Sequence, residues 1–284
     1  MMFSNAAAEV FVPDGTPEPA AMARVTRLGI GAHPDDLEFM AFHGIAACYE
    51  NEEEWFGGVT CTDGSGSARA GSYAGLCDAE MCRVRRDEQN RAAQIGRYGV
   101  MIQLGLSSST VKDTHQTSLR DDLLAILRST KPRVVYTHNL ADKHETHVAV
   151  ALAAIEAVRA MPPDERPSSV HGCEVWRGLD WMIDGEKLIQ DVGGRDWLAN
   201  ELNAVFESQI AGGKRYDLGV MGRRRANATF LESHAVDRSG SVSFAMDLTP
   251  LIRDDAPDIA DYVNGFIERF RMDVLERIHA RLTR

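Results

Sequence analysis

Two stretches of the chain concentrate side chains that bind metals and move protons. The first is His33-Pro34-Asp35-Asp36, directly after a short apolar run, and the second extends from Thr137 to His147. In the first stretch the histidine and one aspartate can reach a cation, whereas the other aspartate points differently and stays free to handle protons. The simpler interpretation is that one of these aspartates only caps the helix that begins near Leu37.

Catalytic zinc usually has two histidines and a carboxylate around it, with a further position open for water. The best such triplet in this sequence is His33, Asp36 and His147. Zinc lowers the pKa of its bound water from about 16 to about 7 and polarises a carbonyl oxygen. Asp35 is then the natural general base, and His144 is placed to stabilise an oxyanion or to protonate a leaving amine. The sequence predicts one divalent ion per chain, zinc in the first place, with iron or another divalent metal as the alternative.

Whether these residues lie close together depends on the strands that precede the two stretches. The run from Arg27 to Gly31 is predicted to be a buried strand that ends at His33, because proline disfavours helical geometry in the residue before it. Strands and helices then alternate, which is typical of an α/β fold with a doubly wound, Rossmann-like, mainly parallel sheet and helices on both faces. In the strand order 3-2-1-4-5 the first and fourth strands are neighbours, and ligands bind at their carboxyl ends. We therefore expect the two polar stretches to face each other across one crevice.

Hydrophobic periodicity places the remaining elements. Before residue 161 the predicted strands are Trp55–Thr62, Val100–Leu106 and Arg133–His138, and the predicted helices are Leu37–Tyr49, Asp78–Arg97, Ser118–Ser129 and Val148–Ala160. Beyond it the predicted strands are Gly172–Gly178, Lys187–Val192 and Val242–Asp247, and the predicted helices are Trp197–Ile210, Tyr216–Leu231 and Ile259–Leu282. We expect a loosely structured N-terminal arm, residues 1–23, and a single domain, residues 24–284, whose C-terminal portion (161–284) is irregular.

The overall composition and net charge indicate which classes of partner and substrate to expect. The 284 residues are 44% hydrophobic, which is enough for one large domain with a full core. A net charge of −11 argues against nucleic acid or an anionic membrane surface and favours a small neutral or cationic substrate. No run approaches the roughly 18 apolar residues of a membrane span. The five cysteines form no Cys-x-x-Cys pair, and the N-terminus lacks the basic segment of a secretory signal, so we expect a cytoplasmic protein. The composition is compatible with a homo-oligomer.

Several motifs occur in the order found in a known family. They are Ala32-His33-Pro34-Asp35-Asp36, Thr62-Asp63-Gly64, Arg85-Arg86-Asp87-Glu88 and His144-Glu145-Thr146-His147, with a fainter echo at Phe206-Glu207-Ser208-Gln209. The chain therefore resembles the LmbE/PIG-L family of zinc-dependent N-deacetylases over residues 26–150 or so. The resemblance implies that His33, Asp36 and His147 bind zinc. It also implies that Asp35 is the catalytic base and that His144 is the second catalytic residue. The implied reaction is hydrolysis of an N-acyl group, usually acetyl, from a glucosamine-type sugar or a related conjugate by a zinc-bound water.

Three further residues are predicted to contact the substrate: Arg85, Asp63 and His234. Arg85 occupies a motif position, and a helix-surface ion pair with Glu88 is the alternative. Asp63 precedes a Gly/Ser-rich loop, residues 65–75, which is either a lid or substrate contact or solvent-exposed filler. His234 lies at a helix end, where a structural role is the alternative.

The chain departs from the family pattern in two places. The later motif is commonly His-Pro-Asp-His and here is His-Glu-Thr-His, so the aspartate that would support the site is absent. A Gly-Gly pair expected in the first helix is His43-Gly44 in this chain. We interpret His43 as structural, with a spare metal ligand as the alternative.

Three other functions compete with this interpretation. A receiver-type signalling domain also has paired aspartates after its first strand, but magnesium avoids imidazole, and such a domain does not explain His33 or His147. A non-catalytic sugar-binding relative would release no acetate, and the intact Asp35 argues against it. A zinc hydrolase of another amide or an ester stays open, because the substrate pocket is built by loops.

Overall fold

The computed structural model describes residues 1–282, and one mixed β-sheet runs through them. Its strands are β1 (Glu9–Phe11), β2 (Val25–Gly31), β3 (Trp55–Thr62), β4 (Val100–Leu106), β5 (Val134–His138), β6 (Ser169–Cys173), β7 (Lys187–Asp191) and β8 (Val242–Asp247). The eight strands lie in the order β1-β4-β3-β2-β5-β6-β8-β7. The run from β4 to β6 is parallel, whereas β1 and β8 are antiparallel to their neighbours.

Helices connect these strands and cover the sheet. They are α1 (Glu18–Ala23), α2 (Asp36–Met40), α3 (Phe42–Cys48), α4 (Asp78–Ile95), α5 (Ser108–Lys112), α6 (Ser118–Thr130), α7 (Glu145–Arg159), α8 (Asp196–Ala204), α9 (Glu207–Ala211), α10 (Tyr216–Thr229), α11 (Thr249–Arg253) and α12 (Ile259–Leu282). Single 3-10 turns occur at Gly71–Tyr73, Pro163–Glu165 and Asp184–Glu186.

The predicted order of the parallel strands is confirmed. β2, the first predicted strand, pairs with β5, the fourth, and the register places Arg27 opposite Val134 and Gly29 opposite Tyr136. The carboxyl ends of β2 and β5 therefore lie side by side. Both polar stretches leave the sheet at this edge, as expected for a crevice in an open α/β sheet.

Helices pack on both faces of the sheet, as predicted. Consecutive residues of a strand point to opposite faces, so Val135 belongs to one hydrophobic core and Tyr136 to the other. Side chains of α6 and α7 fill the first core, and side chains of α3 and α8 fill the second. The α/β class and the doubly wound, mostly parallel sheet are confirmed.

The position of α7 follows from its apolar stripe. Val150, Ala154, Ala157 and Val158 are buried against the first core at the three- and four-residue spacing of one helix face. The same face continues back to His147 in the first turn, which is also completely buried. Packing of α7 on the sheet thus carries a histidine to the carboxyl end of β5.

The helix predicted from Leu37 to Tyr49 is wrong in one respect, because it is broken at Ala41 into α2 and α3. The buried guanidinium of Arg224 donates to the carbonyl oxygens of Glu38 (2.8 Å) and Phe39 (3.1 Å). In a continuous helix these carbonyls would accept from residues four positions later. An arginine from α10 therefore takes the hydrogen bonds that would have continued the helix.

The helix predicted from Trp197 to Ile210 is also divided, into α8 and α9. The carboxylate of Glu88 in α4 accepts from the backbone N–H of Ser208 at 2.7 Å and from its hydroxyl at 2.8 Å. Glu88 thus caps the first turn of α9 and starts a new helix there. β6 ends earlier than predicted, at Cys173, and the segment up to Gly178 is a loop.

Residues 1–23 are more structured than the expected loose arm. β1 pairs with β4, with Glu9 opposite Gln103, and Ala21 and Met22 of α1 are buried in the first core. The division into an arm and one domain stays a prediction. Across residues 1–282, no helix has both the length and the apolar character needed to cross a membrane.

Candidate functional site

The loop after β2 holds Asp35 in a backbone conformation that non-glycine residues rarely adopt. Its φ is 95° and its ψ is −28°, which is left-handed and costs roughly 1–2 kcal/mol. The backbone N–H of Asp35 donates to Oε1 of Gln89 at 3.0 Å, and its Oδ2 accepts from Arg85 at 2.9 Å. Arg85 also donates to the carbonyl oxygen of Pro34. These two residues of α4 offset the strain and fix the direction of the Asp35 carboxylate, and such strain is typical of functional sites.

His33, Asp36 and His147 converge beside this loop. Oδ2 of Asp36 lies 3.2 Å from Nδ1 of His33 and 3.5 Å from Nε2 of His147, and the two nitrogens are 3.2 Å apart. The backbone N–H of His33 donates to the same carboxylate oxygen at 2.7 Å. Gly31 leaves room for this arrangement, because a Cβ there would lie 3.0 Å from the Cβ of Asp36. Asp36 and His147 are buried, and His33 is partly exposed.

The spacing of these three atoms fits a metal ion. Around a tetrahedral zinc with bonds of about 2.0–2.1 Å, neighbouring ligand atoms lie about 3.3–3.4 Å apart. The measured separations of 3.2, 3.2 and 3.5 Å lie on either side of that value. Two imidazoles and a carboxylate suit zinc or another transition ion better than magnesium, which prefers oxygen ligands.

Two more histidines adjoin this cluster. One ring nitrogen from each of His33, His144 and His147 lies within 4.8 Å of the other two, so these three histidines form a group that could hold a metal ion. His138 forms a second such group with Asp36 and His147.

His138 is completely buried, and its Nε2 accepts a hydrogen bond from the backbone N–H of Ala32 at 2.9 Å. That lone pair is then not free for a metal, so His138 anchors the end of β5 to the end of β2. Its ring stacks on that of His147 with 3.8 Å between centroids.

A carboxylate does support His147, although the His-Glu-Thr-His motif lacks one. Oδ2 of Asp142 lies 3.6 Å from Nδ1 of His147, and its other oxygen accepts from the backbone N–H of His144 at 3.0 Å. Burial alone would raise the pKa of Asp142, but His147, the backbone N–H of His144 and His138 together outweigh burial and lower the pKa overall. The motif aspartate is absent, and Asp142 from the loop before the motif supplies a carboxylate beside His147 instead.

The two neighbouring aspartates have opposite electrostatic environments. Burial raises the pKa of Asp35 to about 6, although the Arg85 guanidinium opposes this rise. Burial is the largest single influence on Asp36 and would raise its pKa, but His147, His138 and His33 together outweigh it and hold the pKa of Asp36 well below its usual range. Asp36 is thus the stable carboxylate, and Asp35 is the one that takes up a proton more readily.

A second buried carboxyl group lies beneath Asp35. Oε1 of Glu38 accepts from Nε2 of Gln89 at 2.9 Å and from the hydroxyl of Tyr98 at 2.7 Å. Burial raises the pKa of Glu38 to about 8, so this group is protonated at neutral pH. Tyr98, Glu38 and Gln89 thus form a chain of hydrogen bonds, and through Gln89 it supports the strained backbone of Asp35 from the protein interior.

A cavity of about 660 Å³ opens over the cluster. Its inner end is formed by His33, Asp35, Asp36 and His144. Its outer wall comes from the loop after β6, with Trp176, and from α10, with Tyr216. Part of the Gly/Ser-rich loop, residues 66–68, also lines the cavity, and a substrate contact by this loop stays a prediction.

The structure places the three predicted substrate contacts differently. Arg85 lines the inner cavity, but its guanidinium is buried and engaged with Pro34 and Asp35. Asp63 accepts from the backbone N–H of Ser65 at 2.9 Å and is not among the residues that line the cavity. His234 is exposed in the loop between α10 and β8 and also lies outside the lining residues. A substrate contact by any of the three stays a prediction.

Nδ1 of His43 makes a hydrogen bond of 2.9 Å with the hydroxyl of Tyr136. This partly buried contact agrees with the structural interpretation of His43.

Several residues of the site were not singled out by the sequence analysis. His138 and Asp142 lie within the second polar stretch, where a histidine at a strand end and an aspartate two residues before His144 were available signals. Trp176 and Tyr216 follow no motif, because they come from an irregular loop and from the first turn of a helix.

Comparisons with known proteins agree with this geometry. The sequence profile of the PIG-L family, described as GlcNAc-PI de-N-acetylase, matches residues 28–158. The resemblance drawn from the motifs is confirmed over that range, which is a PIG-L family domain. No curated protein matches the chain.

Solved structures with the same fold have diverse activities. An N,N'-diacetylchitobiose deacetylase from Pyrococcus horikoshii is 16% identical with a TM-score of 0.63, and the match covers 83% of this chain and 88% of the other. The A40926 pseudoaglycone deacetylase Dbv21 is 16% identical with a TM-score of 0.58, covering 79% and 97%. The 4-carboxy-2-hydroxymuconate hydratase GalB from Pseudomonas putida KT2440 is 18% identical with a TM-score of 0.60, covering 79% and 96%. At these identities the likeness shows the fold, and function has to be argued from the site.

Proposed function

We propose that this chain, whose residues 28–158 form a PIG-L family domain, is a metal-dependent N-deacetylase. Its substrate class is an N-acyl, in the first place N-acetyl, glucosamine-type sugar or a related conjugate. The observation that carries the proposal is the convergence of His33, Asp36 and His147, with Asp35 lining the same cavity as His33 and Asp36. The deacetylases among the structural neighbours support the reaction class.

His33, Asp36 and His147 would hold one zinc ion per chain. When bound, zinc supplies Lewis acidity, which makes water acidic enough to ionise near neutral pH and polarises a carbonyl oxygen. Asp142 and the stacked ring of His138 keep His147 in place, because both contact its imidazole. The same donor set also accepts iron or another transition ion.

Asp35 is the general base of the proposed reaction. Its carboxylate faces the cavity, is fixed by Arg85 at 2.9 Å, and has a pKa that burial raises to about 6. A base of this pKa is ionised at neutral pH and accepts a proton from water more readily than an ordinary aspartate. Arg85 thus acts on Asp35, as a positioning residue.

His144 lies at the mouth of the cluster, half-buried, with its ring 5.0 Å from that of His33 and 4.6 Å from that of His147. Burial, helped by the charges of its histidine neighbours, lowers the pKa of His144. A neutral ring with one N–H remains available at neutral pH. His144 would donate that hydrogen to the developing oxyanion or to the leaving amine.

The surroundings support an enzyme of small molecules in a reducing compartment. A cavity of about 660 Å³ is in the range of small-ligand sites, which extend over roughly 300–1,000 Å³. All five cysteines are free, which supports the proposed cytoplasmic location.

Release of acetate tests this proposal. The metal-loaded protein is incubated with a panel of N-acetylated amino sugars, with O-acetylated sugars and with N-acetylated amino acids, and metal content is measured in the same sample. We expect acetate only from N-acetylated amino sugars, about one metal ion per chain, and loss of activity on chelation with recovery on adding zinc. Release from esters or amino acids alone would point to another zinc hydrolase. Full metal occupancy with no release from any compound would contradict the deacetylase function.

A further inference from the structure

The outer part of the cavity is lined by cations, in contrast to the chain as a whole, whose net charge is −11. Lys112, Lys214 and Arg223 line it, each from a different segment. Lys143 lies at the edge of the same wall, with its ammonium 5.9 Å from the ring centroid of Trp176. Lys214 approaches the same ring to 5.2 Å. Two lysines from separate loops therefore flank one aromatic side chain of the cavity.

These lysines lack carboxylate partners. Neither Lys143 nor Lys214 has an acidic group within ion-pair distance in the part of the chain that the structure describes. Lys112 has only Glu145, at 3.6 Å, and that side chain is 85% exposed. An exposed pair of this kind contributes little. Arg223 interacts electrostatically with Glu174 and donates to the carbonyl oxygen of Val175, so the uncompensated positive charge at the cavity mouth is that of the lysines.

The acidic residues of the cavity are already engaged elsewhere. Asp35 forms an ion pair with Arg85, and Asp36 contacts His147 in the candidate metal site. Glu174 accepts hydrogen bonds from the side chain of Asn227 and from the backbone N–H of Phe244 and Leu179. None of the three is paired with the lysines at the mouth.

The ring of Trp176 lies between the cations of the outer cavity and the histidines of the candidate metal site. Its ring lies nearly parallel to that of His144, 6.2 Å away at 29°, and edge-on to Tyr216 at 6.1 Å. An aromatic face of this kind packs against the apolar face of a sugar ring. A sugar whose acyl group reaches His144 would extend along Trp176 towards Lys143 and Lys214.

We infer that the substrate is an N-acyl sugar with an anionic group on the side remote from the acyl group, bound by Lys214 and Lys143 with Lys112 and Arg223 nearby. This inference rests on the proposed deacetylase function and adds the charge of the substrate to it. It reverses the expectation of a neutral or cationic substrate, because the net charge of the chain does not describe the cavity mouth. Lysine ammonium groups bind phosphate or carboxylate as point charges and attract anions from solution.

Matched neutral and charged substrates test this inference. Deacetylation of N-acetylglucosamine is compared with that of its 6-phosphate and its 1-phosphate. O-glycosides of N-acetylglucosamine with a hydroxy acid and with the matching neutral alcohol form the carboxylate arm. The readout is the ratio of kcat/KM for each anionic substrate to that for its neutral counterpart, at low and at high salt. Binding of glucosamine 6-phosphate and of glucosamine to the metal-free protein is measured by calorimetry as a readout without turnover.

The wild type should prefer an anionic substrate by about tenfold or more, since hydrogen bonds to charged groups are stronger than those between neutral groups. Salt should reduce that ratio. The double variant Lys143→Met, Lys214→Met should lower the ratio by about tenfold, whereas Lys131→Met, an exposed lysine paired with Glu165, should leave it unchanged. The arm with the larger ratio identifies phosphate or carboxylate.

Two outcomes would overturn the inference in distinguishable ways. If neutral N-acetyl sugars are deacetylated as fast as the anionic ones, and the lysine variants keep the same ratio, the anionic subsite is wrong and the deacetylase function stands. If no N-acetyl sugar of either kind is deacetylated by the metal-loaded protein, the proposed function fails and the inference fails with it.

Discussion

The inner and outer parts of the cavity are built from different elements of the fold. The inner part lies where β2 and β5 end, and its charged groups are buried, paired and held by several contacts each. The outer part comes mainly from the loop after β6 and from α10, and there Trp176 is flanked by Lys214 and by Lys143 of the loop after β5. Under the proposed function, the strand ends within the PIG-L family domain, residues 28–158, supply the reaction chemistry. The outer wall, with Trp176 and Lys214 from the C-terminal half and Lys112 and Lys143 from the domain, then determines substrate choice.

If this division holds, removing an inner catalytic group should slow the reaction without weakening the metal site. His144→Ala should keep the metal and lower kcat by about a hundredfold or more, the usual effect of losing an oxyanion donor or a general acid. Single-turnover kinetics with measured metal content would show this. His115→Ala, at an exposed loop position, is the matched control. An unchanged kcat in His144→Ala would place this histidine outside the chemistry.

The support of His147 should affect metal affinity more than turnover. Asp142→Asn removes the negative charge 3.6 Å from Nδ1 of His147 and should weaken metal binding by about 10–100-fold. Competition with a chelating dye measures this, and saturating metal should restore most of the activity. Equal metal affinity in Asp142→Asn and the wild type would show that Asp142 only orders its own loop.

The outer wall should act on binding. Trp176→Ala should raise KM by about tenfold with a smaller change in kcat, because stacking on an aromatic face contributes about 0.5–1.5 kcal/mol beyond the area that it buries. Trp197→Ala provides a control, since Trp197 is 51% exposed and lies outside the cavity. A fall in kcat with unchanged KM would show that Trp176 acts on the reaction step and not on substrate binding.

The buried Glu38 predicts a pH effect on stability. The carboxyl group has a folded pKa of about 8 against an ordinary value of 4.5, so between these values the folded state retains a proton that the unfolded state has lost. Its contribution to the free energy of unfolding therefore falls as pH rises through this window, by up to about 1.4 kcal/mol per pH unit. Glu38→Gln should lose this slope and gain relative stability towards pH 8.

Urea unfolding of the wild type and Glu38→Gln at several pH values measures the effect. The exposed Glu53→Gln serves as control. Parallel stability curves for the wild type and Glu38→Gln would mean that Glu38 is already ionised in the fold.

The inner region could be predicted from the sequence because its determinants are local. His33, Asp35 and Asp36 follow β2 directly, and His144 and His147 follow β5, so the general winding of an α/β sheet was enough to bring them together. The same reasoning missed His138 and Asp142, because single residues within a polar stretch do not reveal which of them contacts which.

The outer region and the helix breaks could not be predicted, since they depend on contacts between distant segments. α2 ends where Arg224, 186 residues after Glu38, takes its carbonyl oxygen. α9 begins where Glu88 caps Ser208, 120 residues further along the chain. Helical periodicity continues through both breaks in the sequence, and neither partner follows from spacing or composition. The positive charge of the cavity mouth could not be predicted either, because it comes from separate segments and the net charge of the whole chain is negative.

The most direct test of the account compares the two adjacent aspartates for metal content and acetate release. Asp35→Asn should keep about one metal ion per chain and lose roughly 10²–10⁴-fold in turnover, because an amide cannot accept a proton. Asp36→Ala should lose both metal and activity, and the exposed Asp87→Asn and Asp87→Ala should change neither. A metal-free Asp35→Asn with a fully loaded Asp36→Ala would reverse the two roles. Full activity in both variants would contradict the site.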